Sequence, residues 1–380
     1  MKVAVVKETR SGETRVALVP QGVKQLLKKG LEVCVEPGAG LTAGVADDEY
    51  RSAGATVADS RSAALADAGL VLHVNSPDAE LVGGLKPGTV LVSFLNPLGD
   101  AALMKGLAAG RITGVSMEMV PRITRAQSMD ALSSQATVAG YKAVLMAADH
   151  LPRFLPMFTT AAGTIRPAKA LVLGAGVAGL QAIATARRLG AVVEAFDVRP
   201  AVKEQVESLG AKFLEAAETV TAEGEGGYAR ELSEDQHRKE LELIAGSISG
   251  ADIVITTAQI PGRPAPLLVT DEMLATMKPG SVIVDLASES GGNCSATRRG
   301  ETVVAHGVTV LGPVNLSASI PVHASQMYSK NIVTLVEEFV DEGGQLKLDF
   351  DNDVVGPATV THDGEIRHER VRAAVDGAGA

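Results

Sequence analysis

The residues Gly174-x-Gly176-x-x-Gly179 have the spacing of a loop that binds the pyrophosphate of a dinucleotide. In such a loop, Gly174 makes a tight turn, Gly176 lets the backbone approach the phosphates, and Gly179 allows a helix to pack closely on a strand. The N-terminus of the helix that follows then faces the phosphate charge. These residues therefore predict a dinucleotide site, and a glycine-rich turn without chemical function is the alternative.

Asp197 stands about 20 residues beyond the glycines, where a carboxylate accepts hydrogen bonds from the adenosine ribose hydroxyls. The same carboxylate repels the 2′-phosphate that distinguishes NADP(H) from NAD(H). The sequence therefore favours NAD(H) as the cofactor. The nearby Arg199 is the one residue that argues in the other direction, because an arginine here can accommodate a 2′-phosphate.

A second concentration of polar side chains lies in residues 121–135, and its members are Arg122, Arg125, Gln127, Asp130, Ser133 and Ser134. None of them is an obvious general base. Their amide and hydroxyl groups can hold a carboxamide or a ribose, and Arg and Asp can form a charge-assisted pair. A capped helix start with a surface salt bridge is the alternative interpretation of the same residues.

Several catalytic motifs are missing from the sequence. There is no GxSxG, no HExxH, no Cys/His metal spacing and no phosphate-binding P-loop, and the seven histidines are scattered. We therefore expect no metal site. A dehydrogenase that oxidises an alcohol or amine must remove a proton as hydride leaves, so a positioned His, Lys or carboxylate is expected near its cofactor. Transfer of hydride between two nicotinamides needs no such group.

The glycine motif lies between a predicted strand and a predicted helix. The apolar run Leu171 to Leu173 precedes it, and Leu180 and Ile183 follow it at helical spacing. A second apolar run, Val192 to Phe196, predicts the strand that leads to Asp197. The order of strand, turn, helix and strand is the one a dinucleotide-binding fold requires.

Both halves of the chain carry the same order of strand and turn signals. Residues 67–74 resemble residues 249–256, and residues 85–93 resemble residues 277–285. The fold class is therefore predicted to be α/β, with two Rossmann-like domains that contain parallel sheets; chance similarity of two α/β segments is the alternative. Only the second half has the glycine motif, so the first half is expected to face a substrate or partner.

Helical periodicity predicts two long helices that join the halves, one at residues 134–150 and one within residues 317–340 that starts near Pro321. If the second helix carries the chain back, the first domain is discontinuous. The predicted domains are then residues 1–134 with 320–380, and residues 135–319 as the NAD(H)-binding domain.

One segment, residues 216–248, fits neither predicted sheet. An insertion of this length in a compact fold is usually a functional flap or a disordered stretch. Tyr228 follows two glycines within it, which suggests an aromatic side chain carried on a hinge. A solvated loop is the alternative.

Composition limits the classes of function. The chain has 380 residues, of which 46% are apolar and 21% charged, so it is long enough for two buried cores and is not disordered. The net charge of −10 and the absence of basic runs argue against nucleic acid as a partner. Two cysteines suit a reducing compartment, and neither a signal peptide nor a membrane span is predicted.

Short motifs along nearly the whole chain resemble the alanine dehydrogenase and proton-translocating transhydrogenase superfamily. They are Lys7-Glu8, Glu13-x-Arg15-Val-Ala, Glu36-x-Gly-Ala-Gly, Lys278-Pro-Gly-Ser and Asp285-Leu-Ala-x-Glu-x-Gly-Gly292. Within the superfamily, residues 122–130 with the following Leu-Ser-Ser-Gln resemble the nicotinamide-positioning loop of the transhydrogenase NAD(H)-binding component. Residues 226–229 resemble the mobile loop of that component, and residues 260–266 are typical of it.

Alanine dehydrogenases carry a catalytic Lys and a catalytic His near the ends of two strands of the first domain. At the corresponding places this sequence has Asn75, after residues 70–74, and Asn96, after residues 90–95. Neither amide can act as a general base, so oxidative deamination is disfavoured although Arg15 is shared. Glu289 stands where those enzymes have an Asp.

The resemblance implies the NAD(H)-binding component of a proton-translocating NAD(P)⁺ transhydrogenase. Such a component positions NADH for direct hydride transfer to NADP⁺ on a partner subunit. The resemblance also implies a homodimer, NADP(H)-binding and membrane-spanning partner subunits, and a cytoplasmic location at the membrane through those partners. An alanine-dehydrogenase-like enzyme that acts alone and a non-catalytic NAD-binding module are the alternatives.

The resemblance also implies roles for individual residues. Arg122, Gln127, Asp130 and Ser133 would hold the nicotinamide and its ribose, and Tyr228 would close over the site. The residues expected to bind the rest of the cofactor are Gly174, Gly176, Val177, Ala178, Gly179, Asp197, Val198, Arg199, Gly227 and Gln259.

Overall fold

Strands and helices alternate along most of the chain. The computed structural model describes residues 1–215, 233–260 and 263–377. The strands are β1 (Lys2–Val5), β2 (Glu32–Val35), β3 (Thr56–Val57), β4 (Leu70–Leu72), β5 (Val90–Ser93), β6 (Thr113–Ser116), β7 (Phe158–Thr160), β8 (Gly163–Ile165), β9 (Lys169–Leu173), β10 (Val192–Phe196), β11 (Lys212–Phe213), β12 (Ile253–Thr256), β13 (Val282–Asp285), β14 (Thr302–Ala305), β15 (Val308–Leu311), β16 (Thr359–His362) and β17 (Glu365–Ile366).

The α-helices connect these strands. They are α1 (Pro20–Lys28), α2 (Asp47–Ser52), α3 (Arg61–Leu65), α4 (Ala79–Gly83), α5 (Ala101–Ala109), α6 (Ala131–His150), α7 (Val177–Arg188), α8 (Lys203–Ser208), α9 (Glu234–Ile248), α10 (Asp271–Thr276), α11 (Pro321–Val336), α12 (Val355–Ala358) and α13 (Glu369–Gly377). Within the described ranges, no helix is both long enough and apolar enough to cross a membrane.

The chain divides into two units. The first comprises Met1–Gln135 and Ala318–Ala380, and the second comprises Ala136–Ser317. The first unit contains a sheet in the order β17-β16-β6-β5-β4-β1-β2-β3, in which β1 to β6 are parallel and β16 and β17 are antiparallel additions at one edge. Because β1 lies between β2 and β4, the loops after β1 and β4 leave the sheet in different directions, which makes this a topological switch point.

The second unit contains a sheet in the order β11-β10-β9-β12-β13-β15-β14, parallel except for the edge strand β14. Its switch point lies between β9 and β12. The short hairpin of β7 and β8 is separate from this sheet. The prediction of an α/β fold with two Rossmann-like, mostly parallel sheets is confirmed.

Both sheets are covered by helices on their two faces, which explains why the central strands consist of consecutive apolar residues. In the second unit, Val172 and Ile255 point to the face that α7 covers with Ile183. Leu171 and Val254 point to the opposite face, which α9 covers. Successive residues of one strand therefore enter two different cores, as the twofold alternation of a strand requires.

The two predicted long helices are present with different bounds. Helix α6 begins at Ala131, three residues before its predicted start, because Asp130 provides the cap. Helix α11 begins at Pro321, near which the sequence predicted its start, and ends at Val336, four residues before the predicted end of the segment. Pro321 is favoured at the first helical position and disfavours a helical conformation at the residue before it. Helix α11 lies wholly within the first unit.

Candidate functional site

The glycine motif forms the turn between β9 and α7. Gly174 has a φ of +96°, and a Cβ atom built there would lie 2.5 Å from Thr257 Oγ1. A Cβ atom on Gly179 would lie 1.9 Å from the carbonyl oxygen of Gly174. The left-handed backbone at Gly174 and the close approach at Gly179 therefore both exclude a side chain.

Gly176 differs from the other two glycines because it faces open space. A Cβ atom built on Gly176 would have a single neighbour within 4 Å, Arg199 Nη2 at 3.9 Å. Gly176 is the N-cap of α7, and it provides no side-chain cap. The N–H groups of the first turn of α7 are therefore oriented towards the space over Gly176, where an anion can accept from them. This geometry fits a dinucleotide pyrophosphate.

Two residues outside the motif shape this turn, and sequence reasoning missed both. Thr257, which follows β12, donates a hydrogen bond from Oγ1 to the Gly174 carbonyl at 3.1 Å. Gly140 on α6 approaches the first turn of α7 so closely that a Cβ atom there would lie 2.1 Å from the Ala178 carbonyl oxygen. A glycine within a helix gives no motif to recognise, so neither contact could be found from spacing alone.

Asp197, at the end of β10, is only 9% exposed and accepts hydrogen bonds at both carboxylate oxygens. Ala175 N donates to Oδ2 at 2.7 Å and Arg199 N donates to Oδ1 at 2.9 Å. The Arg199 guanidinium donates twice more, from Nε to Oδ1 at 2.8 Å and from Nη2 to Oδ2 at 2.7 Å. The carboxylate expected to receive a ribose is thus paired with the arginine that follows it.

Glu240 on α9 adds a further carboxyl group near Asp197. Burial raises the pKa of Glu240; the hydrogen bond and charge of His237 oppose this shift, and the charge of Asp197 adds to it. His237 Nδ1 lies 2.8 Å from Glu240 Oε2. The Asp197 end of the site is therefore acidic apart from Arg199 and His237.

A buried carboxylate at the end of β13 organises the loops on the other side of the switch point. Asp285 Oδ1 accepts from Thr256 Oγ1 and Ala287 N, and Oδ2 accepts from the donors Asn293 N, Cys294 N and Thr297 Oγ1. Gln259, predicted to bind cofactor, donates from Nε2 to the Leu286 carbonyl at 2.8 Å. Gln259 is therefore fixed to the loop that Asp285 holds.

The polar loop of the first unit is a short 3₁₀ helix, Thr124–Met129, that leads into α6. Asp130 caps α6, because its Oδ1 accepts from Ser133 N at 2.8 Å and its Oδ2 from Ser133 Oγ at 2.6 Å. The alternative interpretation of this stretch as a capped helix start thus describes Asp130 and Ser133 correctly. Arg122 and Gln127 are exposed.

Contacts with the C-terminal part of the chain hold the same loop in place. Arg125 donates to Glu338 Oε2 at 2.8 Å, to Asn352 Oδ1 at 3.0 Å and to Asp353 Oδ1. Asn331 Nδ2 of α11 donates to the Ser128 carbonyl at 2.8 Å. The surface salt bridge is therefore also present, and it fixes the loop from which Gln127 projects.

A buried polar cluster occupies the switch point of the first unit. Arg15 forms a two-bond pair with Glu13 through Nε and Nη2, at 2.8 and 2.7 Å. Asn75 Nδ2 donates to both Glu8 Oε2 at 2.9 Å and Glu13 Oε2 at 2.8 Å. His73, 4% exposed, has Nε2 at 3.1 Å from Glu8 and Nδ1 at 2.8 Å from the Asn75 carbonyl.

The groups around Arg15, the residue shared with alanine dehydrogenases, determine which reaction the cluster can support. The Asn75 side chain is an amide, which is neither an acid nor a base, and its donors are used to hold two carboxylates. His73 is the one imidazole here, and both of its ring nitrogens are engaged inside the cluster. Asn96 is exposed, and its backbone N–H donates to Glu118, whose pKa is raised by burial.

Several predicted residues lie outside the described ranges. These are Gly227 and Tyr228, together with the rest of residues 226–229 that resemble the mobile loop, and residues 261–262 of the 260–266 motif. The described portion of the longer insertion is α9, which begins after Ser233 with a capping box to Gln236. Across the described ranges, no group of three or more His, Cys, Asp or Glu residues is arranged to hold a metal ion.

Comparison with known families matches both units. The model of the "Alanine dehydrogenase/PNT, N-terminal domain" family matches residues 4–139, and that of the "Alanine dehydrogenase/PNT, C-terminal domain" family matches residues 143–369.

Individual relatives extend over nearly the whole chain. An NAD(P) transhydrogenase alpha subunit of Rhodospirillum rubrum is 47% identical over 97% of this chain and 98% of its own. The crystal structure of transhydrogenase from Sinorhizobium meliloti covers 96% of this chain and 100% of its own at 47% identity, with a TM-score of 0.87. Alanine dehydrogenase of Mycobacterium tuberculosis is 30% identical over 98% of this chain and 96% of its own.

Proposed function

The chain belongs to the alanine dehydrogenase/PNT family, and we propose that it is the NAD(H)-binding component of a proton-translocating NAD(P)⁺ transhydrogenase. In this proposal the chain positions NADH for direct hydride transfer to NADP⁺ on a partner subunit, and the complete complex couples the transfer to proton translocation. The greater identity to the Rhodospirillum protein than to the alanine dehydrogenase supports this choice within the family.

One observation carries the choice of activity: the Asn75 amide donates to Glu8 and Glu13 in the buried cluster. Oxidation of an amine requires a group that accepts a proton as hydride leaves. An amide cannot do this, and His73 is buried with both ring nitrogens engaged. Hydride transfer between two nicotinamide rings breaks no O–H or N–H bond, so the chain needs to supply geometry rather than a base.

In the proposed site, the first turn of α7 receives the pyrophosphate. Val177, Ala178 and Gly179 contribute backbone N–H groups, while Gly174 and Gly176 shape the space for the phosphates. Asp197, Val198 and Arg199 are proposed to form the subsite that receives the adenosine ribose, and Gln259 to border the site from the loop after β12. Gly227 and Tyr228 retain the proposed role of a segment that closes over the nucleotide.

Four residues of the first unit are proposed to position the nicotinamide and its ribose. Arg122 and Gln127 are exposed donors on a loop that other contacts hold in place, which suits a geometric role. Asp130 and Ser133 fix the start of α6 behind them. When bound, NADH supplies the hydride.

The proposal also includes the partners of the chain. We propose that it forms a homodimer and associates with NADP(H)-binding and membrane-spanning subunits. It is then located in the cytoplasm at the membrane through those subunits, and it is catalytic only in the complex. The names of the relatives as alpha subunits support a multi-subunit assembly.

A loop variant tests the proposed function. Gln127→Asn shortens an exposed donor by one methylene, and misplacing a reacting ring by about 1 Å can cost on the order of 10²-fold in rate. Single-turnover stopped flow on the complex with its NADP(H)-binding partner should show this loss, while calorimetry on the same variant should show NADH affinity within a few-fold of normal. Gln345→Asn, an exposed glutamine elsewhere in the same unit, is the matched control. A normal rate of hydride transfer by Gln127→Asn would contradict the proposed role of this loop in positioning the nicotinamide.

A further inference from the structure

The carboxylate of Asp197 has no hydrogen-bonding capacity left. A carboxylate offers about four acceptor positions, two on each oxygen. Oδ1 receives the backbone N and the Nε of Arg199, and Oδ2 receives Ala175 N and Arg199 Nη2. All four distances lie between 2.7 and 2.9 Å. A further donor can reach Asp197 only if one of these four leaves.

The four donors divide into two kinds. The backbone N–H groups of Ala175 and Arg199 belong to the turns after β9 and β10, so they stay in place when a ligand binds. The Nε and Nη2 groups belong to a side chain that can rotate. Together they form a fork that donates once to each carboxylate oxygen, which is the pattern in which the two hydroxyls of a ribose diol would donate.

We propose that Arg199 is an internal ligand of Asp197, that the adenosine ribose diol must displace it, and that this exchange sets the preference between NAD(H) and NADP(H). The inference rests on the proposed function, because it assumes that Asp197 receives the ribose of the nucleotide. It assigns Arg199 a role opposite to that of a simple ribose contact: the side chain competes with the ribose for one edge of one carboxylate.

The surroundings give the displaced guanidinium a place to go. Arg199 Nη2 lies 3.9 Å from the point where a Cβ atom of Gly176 would be. The side chain is therefore already beside the space that the pyrophosphate is proposed to fill. The guanidinium can move from the carboxylate of Asp197 to the phosphates, and its positive charge then still has a negative partner within the site.

The exchange also predicts how Arg199 affects the binding of a ribose that carries a 2′-phosphate. With Arg199 present, a 2′-phosphate next to Asp197 finds a guanidinium within reach that can neutralise it. With Arg199 removed, the same phosphate meets Asp197 and the nearby Glu240 without the guanidinium that could neutralise it. Loss of Arg199 should thus strengthen binding of a plain ribose and weaken binding of a 2′-phosphorylated ribose.

The test uses Arg199→Met on the full chain, with adenosine and adenosine 2′-monophosphate as probes because neither carries the pyrophosphate. Calorimetry at pH 8 should show adenosine binding roughly three- to tenfold tighter in the variant and adenosine 2′-monophosphate binding at least threefold weaker. Arg188→Met is the matched control. It removes the same charge from the exposed last turn of α7, at the opposite end of that helix from the site, and should change neither affinity.

A measurement on the unmodified chain avoids any dependence on how the variant folds. The Nε–H resonance of Arg199 in the ¹H–¹⁵N spectrum, assigned by through-bond correlation to the Arg199 backbone amide of the unmodified chain, reports the bond to Asp197. Saturating adenosine should shift this resonance, because the bond is exchanged. Saturating 2′,3′-dideoxyadenosine, which has no diol, should leave it unmoved.

Two results would overturn the inference. One is weaker adenosine binding by Arg199→Met together with weaker binding of the 2′-monophosphate, because both losses would mean that Arg199 holds Asp197 in position. The other is an unmoved Nε–H resonance at saturating adenosine. The proposed function fails differently: the unmodified chain would then bind neither NADH nor adenosine, or would bind NADH without transferring hydride in the complex.

Discussion

Asp130 is predicted to have two separable functions, and two substitutions separate them. The structure shows Asp130 as the cap of α6, with one bond from Ser133 N and one from Ser133 Oγ. Asp130→Ala removes both, and loss of an N-cap costs about 1 kcal/mol. For a unit of about 200 residues, that lowers the melting temperature by roughly 2–4 °C. Asp130→Asn keeps an acceptor for Ser133 N, so its melting temperature should fall by less than about 2 °C.

The proposed positioning role predicts a different ranking for hydride transfer. If Asp130 orients the nicotinamide or its ribose, both variants should lose on the order of 10²-fold in single-turnover transfer in the complex, although only one loses the cap. The assay pairs thermal melting of the isolated chain with stopped flow on the reconstituted complex. Near-normal transfer by Asp130→Asn would mean that Asp130 acts as a helix cap alone, and the assignment would be refuted.

Three further predictions follow from buried groups of the second unit. Gly179→Ala places a Cβ atom against the backbone carbonyl of Gly174, which cannot rotate away, so NADH affinity measured by calorimetry should fall more than about tenfold; unchanged affinity would contradict the turn geometry. In Asp285→Asn, the amide NH2 group should take the Oδ1 position, because Oδ2 accepts from two backbone N–H groups, and the Ala287 N–H then loses its acceptor at a cost of about 1–3 kcal/mol, visible as faster hydrogen exchange at that amide; native protection would argue against this network. Burial raises the pKa of the Cys294 thiol to about 11, so iodoacetamide at pH 8 should alkylate it only after unfolding; rapid alkylation of the folded chain would count against that burial.

The elements around the glycine motif could be predicted because their signals are local. The apolar runs of β9 and β10, the glycine spacing and the helical periodicity of α7 all lie within residues 169–197. Each strand and helix there is specified by residues next to one another in the sequence. The same holds for the cap of α6, which involves Asp130 and a serine three positions later.

The polar networks could not be predicted because their residues are far apart in the sequence and come together only through the order of the strands and the packing of the chain. His73 meets Glu8 only because β4 pairs with β1 in the sheet, and a sequence does not display strand order. Arg125 meets Glu338 across 213 positions. The pairing of Asp197 with Arg199 is local, yet two such residues can both face a ligand or face each other. The spacing alone does not choose between these arrangements.

We propose above all that this chain supplies geometry for nicotinamide-to-nicotinamide transfer and that the residues described around Arg15 supply no base for substrate oxidation. The most direct measurement compares two rates with the same preparation: NADPH formation from NADH and NADP⁺ in the complex with the partner subunits, and NADH formation from NAD⁺ and L-alanine by the chain alone. The proposed function predicts rapid transfer in the complex and no alanine-dependent NADH above background. Robust alanine-dependent NADH formation by the isolated chain would contradict it, because that reaction needs a proton acceptor that the amide of Asn75 cannot provide.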